Sequence, residues 1–469
     1  MTHVVFVQNY LWEALGPEYI SAVLKTSGHK CSMVLTKNEK NWIERVQYLN
    51  PDIVAISTTT PHWKSYKLII KEIKDRIGVP VVVGGPHPTF YPKILEDPNV
   101  DMICIGEGEY AMRDVADALE RNSGIENIPN IHIKHNGRIY RNEVRPLIEN
   151  LDELPVPDRE LYYGRYRILR DIPVKRFLTS RGCPYRCTYC FNHAYRRIYA
   201  GKGKYVRRRS PENVIEEIEE VRREYPFKIV RFPDDTMTLD HEWLEKFIRL
   251  YKDRIGLPFT CLGRPNEINE SVVKLLKEGG CNLLCIGVES GSERVRNEIM
   301  KRGISDEQIF ACGRLLKKYG IKFLTYNIFG TPTETLEEAY KTIDMNIKLG
   351  VDYTSCSVLQ PFPGTDIYEI AVRGNALDPE YDADCIDFYG GRTRIKQENI
   401  DRITNLAVFL YPVVKFPFIF PIVKLLIRLP PNPLFKMMYY LNNGIPRIMS
   451  LCLDPYEAII LALNFWDQL

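Results

Sequence analysis

The residues Arg181-Gly-Cys-Pro-Tyr-Arg-Cys-Thr-Tyr-Cys-Phe-Asn192 contain three cysteines, Cys183, Cys187 and Cys190, in the spacing C-x3-C-x2-C. They follow an apolar run that predicts a strand. A loop of this length can wrap one corner of an iron–sulfur cubane and bring three sulfurs to three irons, which leaves the fourth iron open for a ligand. Two other interpretations are a zinc site completed by His193 and buried thiols that bind nothing.

The composition narrows the class of protein. A chain of 469 residues can form two or three domains, each with its own core. The net charge of +3 gives no bulk attraction to nucleic acid, so no nucleic-acid partner is expected. The 12 cysteines form no small disulfide framework and the first residues read as a strand rather than a leader, which indicates a cytoplasmic protein. No window of about 18 residues is free of both charge and proline, so no membrane-spanning helix is expected.

Residues 1 to 122 alternate short apolar runs with helical stretches. Five buried strands in this arrangement predict a doubly wound, flavodoxin-like parallel sheet, whose ligands bind at the carboxyl ends of the strands. Asn136-Gly137 then predicts the tight turn of a hairpin. We assign residues 1–145 to this α/β domain and residues 146–174 to a linker. The strand candidates are Val4–Val7, Cys31–Leu35, Ile53–Ser57, Val81–Val83 and Asp101–Gly106.

A second series of strands and helices follows the linker. Six such units predict an incomplete (β/α) barrel over residues 175–372, with functional loops at the C-terminal ends of the strands. Residues 373–469 are predicted to be mostly helical and hydrophobic. The barrel strand candidates begin at Phe177, Ile229, Phe259, Leu283, Phe323 and Ser355.

Glycines and polar side chains cluster where the predicted strands end. Paired glycines allow a bulky ligand to approach the backbone, and hydroxyl groups can bond amides or phosphate. In the first domain these residues are Ser57, Thr58, Thr59, Gly84, Gly85, His87 and Glu107. In the barrel they are Asp234, Asp235, Arg264, Glu289, Ser290, Gly330 and Glu334. Plain alternatives are a simple loop for the glycines, an acid pair at a helix N-terminus for Asp234-Asp235 and a structural ion pair for Arg264.

The cysteine loop, with Tyr189 directly before its last cysteine, resembles the signature of the radical S-adenosylmethionine superfamily. In that family S-adenosylmethionine chelates the fourth iron of a [4Fe–4S] cluster, and one electron cleaves it to a 5′-deoxyadenosyl radical. The resemblance implies that Asp234 and Asp235 engage the methionine amino group and that Glu289 contacts the ribose. It implies further that the segment Gly330–Glu334 passes the adenine, and it leaves Arg264 to pair with the methionine carboxylate or to reach the substrate.

The first domain resembles the cobalamin-binding domain of cobalamin-dependent radical S-adenosylmethionine enzymes. There, a strand-end hydroxyl and paired glycines face the nucleotide tail of the corrin. The loop after the first strand, Gln8–Trp12, contains no D-x-H-x-x-G motif. We therefore expect base-off cobalamin without a histidine ligand from that loop. A domain that has lost its cofactor is the alternative.

Together these resemblances place the chain near anaerobic Mg-protoporphyrin ester cyclase, hopanoid-modifying enzymes and cobalamin-dependent radical methyltransferases. They imply an α/β cobalamin-binding domain, a partial (β/α)6 barrel and C-methylation of an unactivated carbon. The alternatives are a radical cyclisation or rearrangement, and a cobalamin- or redox-sensing protein without turnover. The implied partners are a hydrophobic small molecule, such as a lipid, an isoprenoid or a tetrapyrrole, and an electron donor such as flavodoxin or ferredoxin. The sequence assigns no catalytic side chain.

The segment Leu406–Leu429 is rich in apolar residues but is interrupted by three prolines and by lysine and arginine. It is too broken to span a bilayer as one helix. One interpretation is that it packs on the barrel as part of the core. The other is that it forms an apolar surface that meets a hydrophobic substrate or makes peripheral contact with the inner membrane face. The residues in question are Phe409, Leu410, Phe416, Phe418, Ile419, Phe420, Ile422 and Val423.

Overall fold

The computed structural model describes residues 1–377, 381, 386 and 391–450, and the chain divides into two compact units. The first unit contains residues 1–171 and 195–204, and the second contains residues 172–194 and the described residues from 205 to 450. Part of the predicted C-terminal region, including residues 451–469, lies outside the described residues.

A seven-stranded sheet forms the centre of the first unit. Its strands are β1 (His3–Gln8), β2 (Lys30–Leu35), β3 (Ile53–Ser57), β4 (Val81–Gly84), β5 (Met102–Cys104), β6 (Ile131–His135) and β7 (Arg138–Arg141). The order is β2-β1-β3-β4-β5-β6-β7, with β1 to β5 parallel and the last two antiparallel. Every residue of β1 is buried, as in strands covered on both faces. The predicted doubly wound sheet and its hairpin are confirmed.

Seven helices accompany this sheet: α1 (Leu15–Thr26), α2 (Trp42–Leu49), α3 (Trp63–Arg76), α4 (Pro86–Phe90), α5 (Glu109–Glu120), α6 (Glu160–Tyr163) and α7 (Arg167–Arg170). Residues 146–171, whose sequence predicts a linker, pack closely against the rest of this unit. Leu151 and Leu154 share a buried cluster with Tyr19 of α1. The Arg159 guanidinium lies 2.9 Å from the buried carboxylate of Glu18.

Six parallel strands form the incomplete barrel of the second unit. They are β8 (Val174–Arg176), β11 (Ile229–Arg231), β12 (Phe259–Gly263), β13 (Cys281–Glu289), β14 (Lys322–Phe329) and β15 (Tyr353–Val358), while β9 (Ser180–Arg181) and β10 (Arg207–Arg208) form a separate ribbon. The prediction that the first strand begins at Phe177 is wrong by three residues. The strand begins at Val174. The apolar pattern missed it because Lys175, a charged residue, occupies a buried position in the strand.

Helices alternate with the barrel strands. They are α8 (Phe191–Ile198), which crosses from the second unit into the first, α9 (Pro211–Glu224), α10 (His241–Arg254), α11 (Glu270–Glu278), α12 (Asp306–Lys318), α13 (Leu336–Leu349) and α14 (Asp366–Arg373). Two helix starts are as predicted. The Ser210 side chain accepts a hydrogen bond from the Asn213 backbone ahead of α9, and Thr335 and Glu338 form the capping box of α13.

The described C-terminal region is helical and packs on the barrel. Its helices are α15 (Ile400–Val408), α16 (Leu410–Lys415), α17 (Phe420–Leu426) and α18 (Pro433–Ser450). The apolar residues singled out in the sequence differ in burial, and Ile419 and Phe420 are partly buried against the barrel core. Phe409, Leu410 and Val423 are buried in the barrel core, whereas Phe416, Phe418 and Ile422 are exposed. None of the described helices has the length and apolarity needed to cross a membrane.

The capping box of α13 generates a stability prediction. Thr335→Ala removes the hydroxyl that accepts from the Glu338 backbone at 3.3 Å, so the free energy of unfolding should fall by about 1 kcal/mol. Chemical denaturation followed by circular dichroism measures this change. Thr26→Ala, on the last turn of α1, is the matched control with little expected loss, and equal effects of the two changes would contradict the capping role.

Candidate functional site

The strand-end loops of the first unit are joined to one another. The Thr58 backbone N–H donates to the Gly84 carbonyl at 2.9 Å, and the His87 N–H donates to the Thr58 carbonyl at 3.2 Å. Thr89 donates its hydroxyl to the Gly85 carbonyl at 2.8 Å and accepts from the Gly106 N–H at 3.0 Å. These bonds link the ends of β3, β4 and β5 into one edge.

Gly85 is one residue that this edge requires to be glycine. Its φ is +93°, and a Cβ there would lie 2.8 Å from the Thr58 carbonyl oxygen and 3.0 Å from the Ser57 hydroxyl. Ser57, Gly84 and Gly85 are partly exposed, and Thr59 is exposed. A ligand can therefore approach the backbone and hydroxyl groups of this edge closely, which suits a bulky ligand with a polar tail.

His87 and Thr58 lie beneath this edge. They are only 1% and 2% exposed, respectively. Burial lowers the pKa of His87 to about 4, so its ring is neutral. Nδ1 lies 3.1 Å from the Thr60 hydroxyl, and Nε2 has no hydrogen-bond partner among the described residues. Thr58 and His87 therefore hold the loops in position. The Nε2 atom of His87 is a buried polar atom that a ligand could satisfy with a hydrogen bond.

Two tyrosines that the sequence analysis did not single out belong to the same edge. The Tyr199 hydroxyl accepts from the Glu107 backbone at 2.8 Å and would collide with any side chain at Gly106. The Tyr195 ring packs edge-on against Phe90, with ring centroids 4.7 Å apart. Both follow the cysteine loop in sequence by only a few residues, and no local pattern separates them from ordinary helix residues.

The loop after β1 supplies no histidine. The Gln8 amide donates to the Tyr10 and Trp12 carbonyls at 2.8 and 2.6 Å, which closes the loop on itself. The Tyr10 ring stacks on His62 with centroids 5.3 Å apart. The chemistry of this edge, with glycines, hydroxyl groups and a neutral imidazole, fits the cobalamin expected from the sequence.

In the second unit, the cysteine loop is held by hydrogen bonds on both sides. The Thr188 N–H and hydroxyl donate to the Met300 and Ile299 carbonyls at 3.0 and 2.8 Å. The Thr188 carbonyl accepts from Ile367 at 2.9 Å. At the start of the loop, Gly182 has φ +87°, and a Cβ there would lie 2.4 Å from the Tyr205 carbonyl oxygen. The loop conformation therefore depends on a glycine directly before the first cysteine.

The three sulfurs are not gathered closely enough to form a ready site for a single metal ion. Three thiolates on one zinc ion lie about 3.8 Å apart, since each Zn–S bond is about 2.3 Å. Among the described residues, the Cys183, Cys187 and Cys190 sulfurs do not all lie within 4.8 Å of one another. His193, the fourth ligand of the zinc interpretation, instead lies 3.0 Å from the Asp366 carboxylate. The donor set fits a cubane that holds one iron per sulfur.

Two donors approach the sulfurs. Arg264 Nη1 lies 3.4 Å from the Cys187 sulfur, and the Asn192 amide lies 3.8 Å from the Cys190 sulfur. Without iron, burial raises the pKa of Cys183 to about 11 and that of Cys190 to about 12. These thiols therefore keep their protons until a metal displaces them, and the two donors then stabilise the sulfur charge.

Asp234 and Asp235 have different environments. Asp234 is fully buried, and its Oδ1 accepts from the Thr179 N–H and hydroxyl at 3.0 and 2.8 Å and from the Ser180 hydroxyl at 2.6 Å. It thereby ties β11 to the residues that follow β8, so the interpretation as an acid pair at a helix N-terminus does not hold. Asp235 is exposed, accepts from Asn192 and lies close enough to Cys183 and Cys190 to raise their pKa.

Glu289 ends β13 with a left-handed backbone, at φ +65°. Its carboxylate lies 3.2 Å from Arg302 Nη1, which also donates to the Tyr189 hydroxyl at 2.5 Å. Burial raises the pKa of Glu289 in spite of this arginine. Ser290 is fully buried, and its hydroxyl accepts from the Ser292 backbone, so it shapes the loop after the strand.

Arg264 makes no ion pair with a carboxylate among the described residues. Its guanidinium lies over the Tyr185 ring at 3.5 Å and donates to the Asn266 side chain and to the Arg302 carbonyl, besides approaching Cys187. The expectation of a structural ion pair is therefore not met in the described part of the chain. Arg302 and Tyr185 were missed by the sequence analysis, because an arginine in a basic loop and a tyrosine between cysteines carry no signal of their own.

Glu334 folds back onto its own loop. Its Oε2 accepts from the Gly330 and Thr331 N–H groups at 2.7 and 3.0 Å, while Oε1 has no partner in the described structure. Burial raises the pKa of Glu334 to about 8, so the carboxyl group is largely protonated at neutral pH. Asp234 Oδ2 is likewise buried without a partner. Carboxyl oxygens in this state at the ends of the barrel strands fit S-adenosylmethionine, a cationic ligand with donor groups.

Two family models match this chain. The model of the radical SAM superfamily matches residues 177–345, and that of the B12 binding domain matches residues 1–116. An uncharacterized methyltransferase of Pyrococcus horikoshii is 35% identical over 71% of this chain and 72% of its own length. The anaerobic magnesium-protoporphyrin IX monomethyl ester cyclase of Rubrivivax gelatinosus is 25% identical over 76% of this chain and 66% of its own length.

Among solved structures, the cobalamin-dependent S-adenosylmethionine radical enzyme OxsB, with aqua-cobalamin and S-adenosylmethionine bound, shares the fold. Its TM-score is 0.70 at 18% identity, covering 98% of this chain and 74% of that one. The chain therefore belongs to the radical S-adenosylmethionine enzymes that carry a cobalamin-binding domain, is an enzyme of their methyltransferase family, and uses a [4Fe–4S] cluster, S-adenosylmethionine and cobalamin.

Proposed function

We propose that this enzyme methylates an unactivated carbon atom of an apolar small molecule. The observation that carries the proposal is the combination, in one chain, of a cysteine loop with the spacing C-x3-C-x2-C and a strand-end edge suited to cobalamin. When bound, the cluster and S-adenosylmethionine supply a hydrogen-abstracting radical, and cobalamin supplies the methyl group. The 35% identical relative, itself named a methyltransferase, supports the reaction type.

We assign the cofactor contacts to residues of this chain. Cys183, Cys187 and Cys190 hold the cluster, and Arg264 and Asn192 stabilise the sulfur charge. The residues assigned to S-adenosylmethionine are Tyr189, Asp234, Asp235, Glu289, Ser290, Gly330 and Glu334, with Asp234 and Ser290 acting through the loops that they hold. The residues assigned to cobalamin are Ser57, Thr58, Thr59, Gly84, Gly85, His87 and Glu107, with Thr58 and His87 again in positioning roles.

An apolar substrate is supported by side chains next to the cysteine loop. Phe191, directly after Cys190, packs against Phe362 with ring centroids 5.3 Å apart, and both rings are partly exposed. Ile328, near the end of β14, is also partly exposed. These groups offer apolar contact area beside the cluster ligands, which suits an apolar part of a substrate.

The proposed reaction balances as follows. One C–H bond of the substrate breaks and one C–CH3 bond forms, with the hydrogen atom passing to the 5′-deoxyadenosyl group. Two molecules of S-adenosylmethionine give one S-adenosylhomocysteine, one 5′-deoxyadenosine and one methionine. Two electrons enter from an external donor, for which a small flavin or iron–sulfur protein is suited. A radical cyclisation is the second candidate, and the similarity to the protoporphyrin ester cyclase favours it.

The two candidates differ in their by-products. Methylation should yield S-adenosylhomocysteine and 5′-deoxyadenosine in equal amounts, since each turnover needs one methyl donor and one radical. Anaerobic incubation with reductant and apolar candidate substrates, followed by mass spectrometry, measures this ratio. A product that gains three deuterium atoms from methyl-labelled S-adenosylmethionine supports methylation. A ring-closed product without an added methyl group, formed together with 5′-deoxyadenosine but without S-adenosylhomocysteine, would establish the cyclisation instead.

The cluster assignment predicts the effect of removing single sulfurs. Cys183→Ala, Cys187→Ala or Cys190→Ala should each abolish S-adenosylmethionine cleavage and lower the cluster iron, because a cubane needs all three thiolates. Iron analysis and 5′-deoxyadenosine detection measure the two effects. Cys312→Ala, in the fully buried core of α12, is the matched control and should keep both. A triple variant with undiminished cluster iron would refute the assignment.

The cobalamin assignment predicts the effect of filling the strand-end edge. Gly85→Trp should abolish cobalamin retention and leave cluster iron unchanged, which visible spectra and iron analysis report separately. Gly28→Trp is the matched control: Gly28 has a similarly positive φ of +87°, but a Cβ there meets nothing within 4 Å. If the control also loses cobalamin, or if Gly85→Trp retains it, this edge is not the cobalamin site.

A further inference from the structure

The segment around α17 has apolar side chains on both of its faces. Val423 and Ile427 are buried in the barrel core, at 2% and 1% exposure. The opposite side carries Phe418, Ile422 and Leu425, which are 77%, 59% and 61% exposed. The exposed positions repeat every three or four residues, so they share one side of the helical segment.

α18 repeats this arrangement. Phe435 and Tyr439 are buried, whereas Leu434 and Met437 are more than half exposed. We call the exposed set the apolar face. It consists of Phe416, Phe418, Ile422, Leu425, Leu429, Leu434 and Met437. A helix that packs on a core ordinarily presents polar residues to water, so an apolar outer side on two helices indicates a contact with something apolar.

The stretch of sequence that forms this face carries charges of one sign only. Residues 402–453 contain six of the 63 basic residues of the chain and none of the 60 acidic ones. Lys415, Arg428 and Lys436 are exposed, and none has a carboxylate within 4 Å among the described residues. Elsewhere on the surface basic side chains pair with acids, as Arg254 does with Glu219 at 2.5 Å. The cations next to the apolar face therefore remain available to an anionic partner.

Exposed apolar side chains bordered by unpaired cations match the chemistry of an anionic bilayer surface. Apolar groups enter the acyl boundary, while lysine and arginine meet the phosphate groups. Pro417 and Pro421 keep the helices short, so the segment suits contact with the interface rather than passage through it. We propose that the apolar face docks this enzyme on the surface of an anionic lipid bilayer. This inference is independent of the methylation chemistry.

Vesicle sedimentation with the full-length, cluster-loaded protein tests the inference. Wild type should bind vesicles containing phosphatidylglycerol at least about tenfold more tightly than pure phosphatidylcholine vesicles, and about 0.5 M salt should weaken the binding. Phe418→Asp/Ile422→Asp should weaken it about tenfold or more, because apolar area is lost and negative charge is added. Lys415→Glu/Arg428→Glu/Lys436→Glu should abolish the preference for anionic lipid.

Tyr48→Asp/Leu68→Asp is the matched control. These residues are 79% and 71% exposed on the first unit, so the control removes a similar exposed area without touching the face. It should bind like wild type, and unchanged cluster iron in every variant shows that the second unit is folded. Equal binding to both lipids, no binding by wild type, or equal loss in the control would each overturn the inference. So would a wild-type dimer that Phe418→Asp/Ile422→Asp converts to monomer without changing vesicle binding.

Discussion

One buried guanidinium, that of Arg302, joins the elements on which the cluster site depends. It donates to Tyr189 in the cysteine loop and to Glu289 and the Gly287 carbonyl at the end of β13. Its own carbonyl accepts from Arg264, which in turn approaches a cluster sulfur. Because a loop without regular structure cannot fix three sulfurs by itself, this connection supplies the rigidity that cluster ligands need. Although burial opposes it, Tyr189 and Glu289 raise the pKa of Arg302, so the connection stays charged.

The two units use the same architectural rule with opposite chemistry. Both present their functional groups at the carboxyl ends of parallel strands. In the first unit that edge is mostly uncharged, with glycines, hydroxyl groups and the neutral His87, and with Glu107 as its acidic residue. In the barrel it holds buried carboxyl groups, thiols and two arginines. A large cofactor with a polar tail suits the first edge, and a small cation next to a redox cluster suits the second.

Regular features were predictable from the sequence, and long-range ones were not. The sheet, the hairpin, the barrel and the cysteine loop follow from hydrophobic period, turn residues and spacing, which are local. The first barrel strand was predicted three residues too late, because its Lys175 is buried, although lysine is ordinarily exposed. Arg302 escaped notice since its partners lie 13 and 113 residues away. Asp234 was predicted as a ligand contact, and its Oδ1 accepts three hydrogen bonds from Thr179 and Ser180, which follow β8.

The raised pKa of Glu334 makes the loop after β14 sensitive to pH. At neutral pH the group holds a proton that an exposed glutamate would have lost. A cation bound beside it favours the ionised form, so binding and proton release share one free energy. Protons and a cationic ligand bound at this strand end would therefore compete with each other. Acidification would weaken the binding of such a ligand, and an alkaline shift would strengthen it, with no change in the shape of the strand end.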